Sequence, residues 1–92
     1  MAVHCTGIQL VGGSRHEHIA NIRWAQDDSN NAGICTRAQM VVFVERGGVA
    51  YVQDMFGNIA VLGVRVNDVG NKYVQTHTDK IWTDNLLALP RL

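Results

Sequence analysis

Apolar runs and short stretches of apolar–polar alternation, separated by polar turns, mark out most of this 92-residue chain, and the period changes at identifiable places. Val3 to Val11 is rich in β-branched and aliphatic residues and stops at Gly12-Gly13, which predicts a strand. From Ile19 to Ala25, the residues Ala20, Ile22 and Trp24 point one way and Asn21 and Arg23 the other. That two-residue period belongs to a half-buried strand. A polar loop follows, Asp27-Asp28-Ser29-Asn30-Asn31. Thr36 to Arg46 then adopts helical spacing, with Met40, Val41 and Val44 on one face and Phe43 at its edge. The Thr36 hydroxyl is placed to cap the first turn, and Gly47-Gly48 to stop the helix in a left-handed conformation. Its three valines are stiff at χ1, so packing has to hold this helix.

Val49–Gln53 and Ile59–Val66 read as a hairpin around Asp54-Met55-Phe56-Gly57-Asn58. Asp starts that turn and Gly supplies a positive φ. Lys72 to Thr78 is a further strand, with Tyr73, Gln75 and His77 on one face and Val74 and Thr76 on the other. In the tail, Thr83 or Asp84 is placed to cap a short helix ended by Pro90, with Trp82 and Leu87 at the spacing of a hydrophobic staple. The order is therefore strand, strand, helix, strand, strand, strand, short terminal helix. This predicts one α+β domain over residues 1–92: an antiparallel sheet of about five strands, one helix packed on a face, and a docked C-terminal helix.

Composition narrows the functional classes. Lys and Arg number 8, Asp and Glu number 8, and the formal net charge is zero. Hydrophobic residues make up 47% and charged residues 17%, against about 25% charged in an average domain. Disordered charged segments are thereby excluded, and no net charge draws the chain to nucleic acid or to an anionic membrane. The cations fall singly from Arg15 to Arg91, mostly near an acidic residue. Low net charge removes repulsion between copies and favours association. No apolar run approaches the ~20 residues of a membrane span. Two cysteines, Cys5 and Cys35, make no disulfide framework. The start, Met1 to Thr6, lacks the basic and long apolar regions of a secretory signal, so the expectation is a cytoplasmic protein with reduced thiols.

The tail Trp82-Thr83-Asp84-Asn85-Leu86-Leu87-Ala88-Leu89-Pro90 resembles the closing signature of a family of small bacterial, archaeal and phage proteins, domain of unknown function number 3892. Ile22-Arg23-Trp24, Glu45-Arg46-Gly47-Gly48, the Asp54–Asn58 turn and Lys72-Tyr73-Val74 also match, so the resemblance runs from about Ile19 to Pro90. Gly13 to His18 departs from the pattern. The resemblance implies a recurring stand-alone small domain and brings no chemistry with it.

Several residues invite a chemical reading. His16 and His18 would face one side of a strand and could share a metal, with His4 and His77 as further ligands; a site needs three or four, and a solvated turn is the plainer reading. Cys35, next to a helix start and Arg37, is a candidate thiolate, or else a small buried hydrophobe. His77, Asp79 and Asp84 could perform acid–base work around Trp82, although Asp79 also suits a turn and Asp84 a helix start. Arg23, Arg65 and Lys72, with Lys80, Trp24, Tyr73 and Trp82, could make a basic aromatic face for single-stranded nucleic acid, but Trp24 falls on the inward side. Met55-Phe56 sets two large apolar residues at a hairpin tip, where they form a partner surface unless Phe56 folds back on the sheet.

Met55-Phe56 is the apolar remainder that the predicted core does not absorb. The sequence therefore favours a non-enzymatic protein-interaction module that binds a protein partner or itself, as in a homodimer. No cofactor or metal is required. The alternatives are a nucleic-acid-binding accessory protein through Arg23, Arg65 and Lys72, and a small enzyme or metal protein.

Overall fold

The alternating segments of the sequence become strands almost wherever they occur. A computed structural model describes residues 2–92; Met1, the first residue of the segment read for a leader, lies outside them. In chain order the elements are β1 (Ala2–Leu10), β2 (Ile19–Gln26), β3 (Ala32–Thr36), α1 (Arg37–Glu45), β4 (Val49–Gln53), β5 (Ile59–Val66), β6 (Lys72–Thr78) and β7 (Ile81–Thr83), with a 3₁₀ turn at His16–His18. All seven strands join one sheet in the order β3-β2-β1-β4-β5-β6-β7. β1 and β4 are parallel at its centre, and every other neighbouring pair is antiparallel. Two meanders thus start side by side and step outward in opposite directions. α1 lies in the crossover that a parallel pair requires.

This corrects the α+β expectation of about five antiparallel strands and two helices. The domain is mostly β, its sheet is mixed and seven-stranded, and α1 is the single α-helix among the described residues. β3 and β7 were not anticipated, and neither was the parallel pairing. The tail forms no helix. Ala88 N–H donates to the carbonyls of Asp84 and Asn85 at 3.2 Å, and Leu89 N–H to Leu86 at 3.3 Å, which makes a single turn. Thr83 cannot cap it, because Thr83 ends β7 and its hydroxyl meets that of Thr76 at 2.8 Å.

Where the sequence signals were unambiguous, the local chemistry follows them. The Thr36 hydroxyl accepts from Gln39 N–H at 3.2 Å while the Gln39 amide oxygen accepts from Thr36 N–H at 2.9 Å, a reciprocal box that opens α1. Gly47 has φ +91° and closes the helix. The core gathers Val3, Cys5 and Ile8 of β1, Ile22 of β2, Ala50 and Val52 of β4, Leu62 of β5 and Val74 of β6 under Met40 and Val41 of α1. Cys5 and Ile8 stand an odd number of positions apart yet both face inward, because a register shift between Cys5 and Gly7 bulges the strand.

The tail completes the sheet. β4 pairs with β1 at Ala2–His4, and further along, Ile8 N–H donates to the Pro90 carbonyl at 3.0 Å while Leu92 N–H donates to the Ile8 carbonyl at 2.9 Å. Leu86 is fully buried on the way, and Leu87 and Leu89 pack against the core.

Candidate functional site

The β4–β5 hairpin carries its two apolar residues on a turn closed by hydrogen bonds between its own residues. Asp54 Oδ1 accepts from the N–H groups of Phe56 (2.8 Å) and Asn58 (2.9 Å), and Oδ2 accepts from the Asn58 side-chain amide (3.1 Å). Asp54 and Asn58 also exchange a backbone bond, Asp54 N–H to Asn58 carbonyl at 3.0 Å, and Gly57 takes φ +86°. These donors hold the Asp54 carboxyl below the usual carboxylate range, the Asn58 backbone contributing most. With its backbone so occupied, the turn projects Met55 (90% exposed) and Phe56 (82% exposed) into solvent, and Ile59 beside them is half exposed. Phe56 does not fold back on the sheet.

A second constellation lies on the face of the sheet away from α1. Strand parity puts Arg65, Tyr73, Gln75 and His77 there, with Trp82 paired to His77. The Arg65 guanidinium sits over the Trp82 ring at 4.8 Å and donates to Gln75 Oε1 at 3.0 Å. The His77 and Trp82 rings meet edge to face at 5.4 Å. Gly63 gives that indole room, since a Cβ there would lie 3.0 Å from the ring. The β1–β2 connection and the tail border this face and enclose a pocket of about 280 Å³ against β6. His16 lines it, 8% exposed. Burial holds its imidazole below the usual histidine pKa, opposed by Asp84 and reinforced by Arg65, and its Nε2 is buried without a hydrogen-bond partner.

The predicted residues thus regroup. His16, drawn from the metal reading, and Asp84, drawn from the acid–base reading, share one pocket. His16 and His18 do not act together, because a 3₁₀ turn sends residues i and i+2 apart. His18 Nδ1 instead accepts from Arg15 N–H at 3.1 Å. His16 is buried, whereas a solvated turn had been the plainer expectation. Asp79 lies in the β6–β7 turn and His77 against Trp82. Among the described residues, no group of three or more His, Cys, Asp and Glu is placed to hold a metal ion. Arg23 and Arg65 share the helix-free face; Arg23 donates to the Thr6 hydroxyl at 3.0 Å. Lys72 points to the other face and pairs with Glu45 of α1 at 2.7 Å.

One cluster was not anticipated. Asp27 accepts from the Tyr51 hydroxyl at 2.8 Å and meets His4 Nδ1 at 2.9 Å, which ties the β2–β3 loop to β1 and β4. These three residues come from three segments, so only the β1/β4 pairing, invisible in the local pattern, brings them together. The thiols carry no activation: burial pushes Cys5 up to about 12 and Cys35 upward as well. Cys35, Trp24, Met40 and Phe43 line a separate apolar groove of about 230 Å³ beside α1.

Fold and surface together define a small sheet domain with one covering helix and an apolar hairpin tip. Within that class, the chain matches over residues 3–90 the family described as Protein of unknown function (DUF3892), and it belongs to that family. No curated protein and no solved structure matches it. No helix among the described residues is long and apolar enough to cross a membrane.

Proposed function

We propose that this domain is a protein-interaction module and that Met55-Phe56 makes its contact. The observation that carries the reading is the pairing of exposure with order: two large apolar side chains stand in water on a turn closed by Asp54 and Asn58. Ordering a loop upon binding costs affinity, and a turn already closed by its own hydrogen bonds avoids that cost. Aromatic side chains that enter a partner's pocket supply a large share of binding energy. The zero net charge sets no electrostatic barrier to a second copy as that partner.

Sedimentation velocity of the wild type and of Phe56→Ser, with capture of partners by each, tests the reading. A concentration-dependent oligomer or a captured protein that Phe56→Ser loses supports it. A monomer in both that captures no protein overturns it.

Nucleic-acid binding is the second reading, favoured by the guanidinium of Arg65 over Trp82 beside Tyr73 on an open sheet face. Phosphate contacts weaken as salt rises. No binding of labelled single-stranded oligonucleotides at low salt removes this reading.

A further inference from the structure

The polar pocket between the 3₁₀ turn, β6 and the tail plays no part in the hairpin-tip reading. Its walls include Arg15, His16, Tyr73, Gln75, Asp84 and Leu87. Two polar groups in and around it are already committed. Gln75 accepts from Arg65 and donates to the Thr83 carbonyl at 3.1 Å, and Glu17 accepts from the Asn67 amide at 3.0 Å. Arg15, Asp84 and the His16 ring are not. Arg15 and Asp84 line the same pocket without forming an ion pair, and His16 Nε2 is buried with no partner. A buried polar atom left unpaired is costly, and such atoms in native proteins mark a bound water or a ligand.

We propose that this pocket binds a small zwitterion of amino-acid size, with its carboxylate on Arg15 and its ammonium on Asp84. The charges that line the pocket decide the class: the Arg15 guanidinium on one side, the carboxylates of Asp84 and Glu17 on the other. A simple anion would meet Asp84 and a simple cation would meet Arg15, whereas a zwitterion satisfies both. Clefts for drug-sized ligands run from roughly 300 to 1,000 Å³. A pocket of about 280 Å³ is therefore suited to something smaller, and Leu87 offers contact to an aliphatic side chain.

Titration of the ¹⁵N-labelled full chain with glycine, L-alanine and L-leucine tests the proposal through the amide resonances of residues 14–17, 73–75 and 84–87. Propionate and ethylamine serve as probes with one charge each. The expected result is saturable shifts confined to those amides with at least one amino acid, and binding about tenfold or more weaker for either single-charge probe, since a charge-assisted hydrogen bond is lost. Arg15→Gln and Asp84→Asn each weaken binding to a similar degree, while the rest of the spectrum stays in place because both side chains are exposed. Phe56→Ser leaves it unchanged, so this proposal stands or falls apart from the hairpin tip. Absence of saturable shifts at these amides with all three amino acids, or equal binding of propionate or ethylamine, overturns the proposal.

Discussion

Arg91 lies beside Ile8 as a parallel partner, and this pairing puts the end of the described chain on the edge of the central strand. β2 holds one edge of β1; on the other, β4 covers Ala2–His4 and the tail covers Ile8. The tail is therefore part of the sheet. Removal of residues 90–92 takes away the tail groups that hydrogen-bond the Ile8 N–H and carbonyl, and its amide should change from protected to fast-exchanging while that of Leu62 stays protected. Leu86→Ala, at a fully buried position, should cost about 2–5 kcal/mol in denaturant unfolding. Unchanged exchange at Ile8 after truncation would show that the tail does not dock.

The Asp27 cluster predicts a pH response. His4 first, and then the Tyr51 hydroxyl, hold the Asp27 carboxyl below its usual range. A carboxyl depressed in the folded state contributes stability above its unfolded pKa of about 3.9, and that contribution is lost as pH falls through the lower folded value. Asp54 acts in the same sense at the hairpin. Tyr51 runs the opposite way: its hydrogen bond to Asp27 raises its pKa, so its contribution is intact below about 10 and disappears as pH rises through the folded value. Asp27→Asn should flatten the acid limb of a Tm-against-pH curve and return Tyr51 toward its ordinary titration, followed by absorbance. A variant with the wild-type acid limb would remove the cluster as its source.

The two thiols should be slow at neutral pH. Cys5 is raised to about 12, by burial first and then by its neighbour Cys35, and Cys35 is raised by its own burial. Since the thiolate is the reactive form, a thiol-specific disulfide reagent should label Cys35 sluggishly and Cys5 at the rate of unfolding, and both at once in denaturant. Rapid labelling of either in the folded protein contradicts this.

Much of the fold was legible because its signals are local. The cap Thr36, the stop Gly47 and the Asp54–Asn58 turn each declare themselves within a few residues, β2 and β6 show a two-residue period, and β1, β4 and β5 are apolar runs bounded by turn residues. Parallel pairing of β1 with β4 leaves no local mark, since their partners are over forty positions apart. β3 carries no strand signal of its own, because Ala32-Gly33 opens it like the end of a loop. The site divides the same way. Met55-Phe56 stood out as apolar residues at a turn, whereas the pocket joins His16 to Asp84 across most of the chain, and only the docked tail makes them neighbours. Gly12-Gly13-Ser14 signal a solvated turn before His16, and burial by β6 and the tail overrides that cue.

The β6–β7 turn lacks the usual hairpin residues, which hides β7 from the local pattern. Asp79 and Lys80 both have positive φ, 50° and 67°, and together they connect Thr78 to its partner Ile81. Two-residue hairpin loops of this kind favour Asn-Gly or Asp-Gly, since the left-handed region costs a residue with a Cβ roughly 1–2 kcal/mol. Here Lys stands at the second position, so the usual hairpin signal is absent, and Ile81-Trp82-Thr83 reads as the entry to a helix. Lys80→Gly relieves the strain but adds glycine's entropy in the unfolded chain, which returns about 0.5–1 kcal/mol of it. The net expectation is stabilisation of up to about 1 kcal/mol in denaturant unfolding, with Trp82 fluorescence unchanged because the indole stays over Gly63. Lys80→Val should go the other way, because a β-branched side chain tolerates positive φ least. If Lys80→Gly destabilises the domain while Lys80→Val does not, the left-handed turn is not the conformation that holds β7 in place.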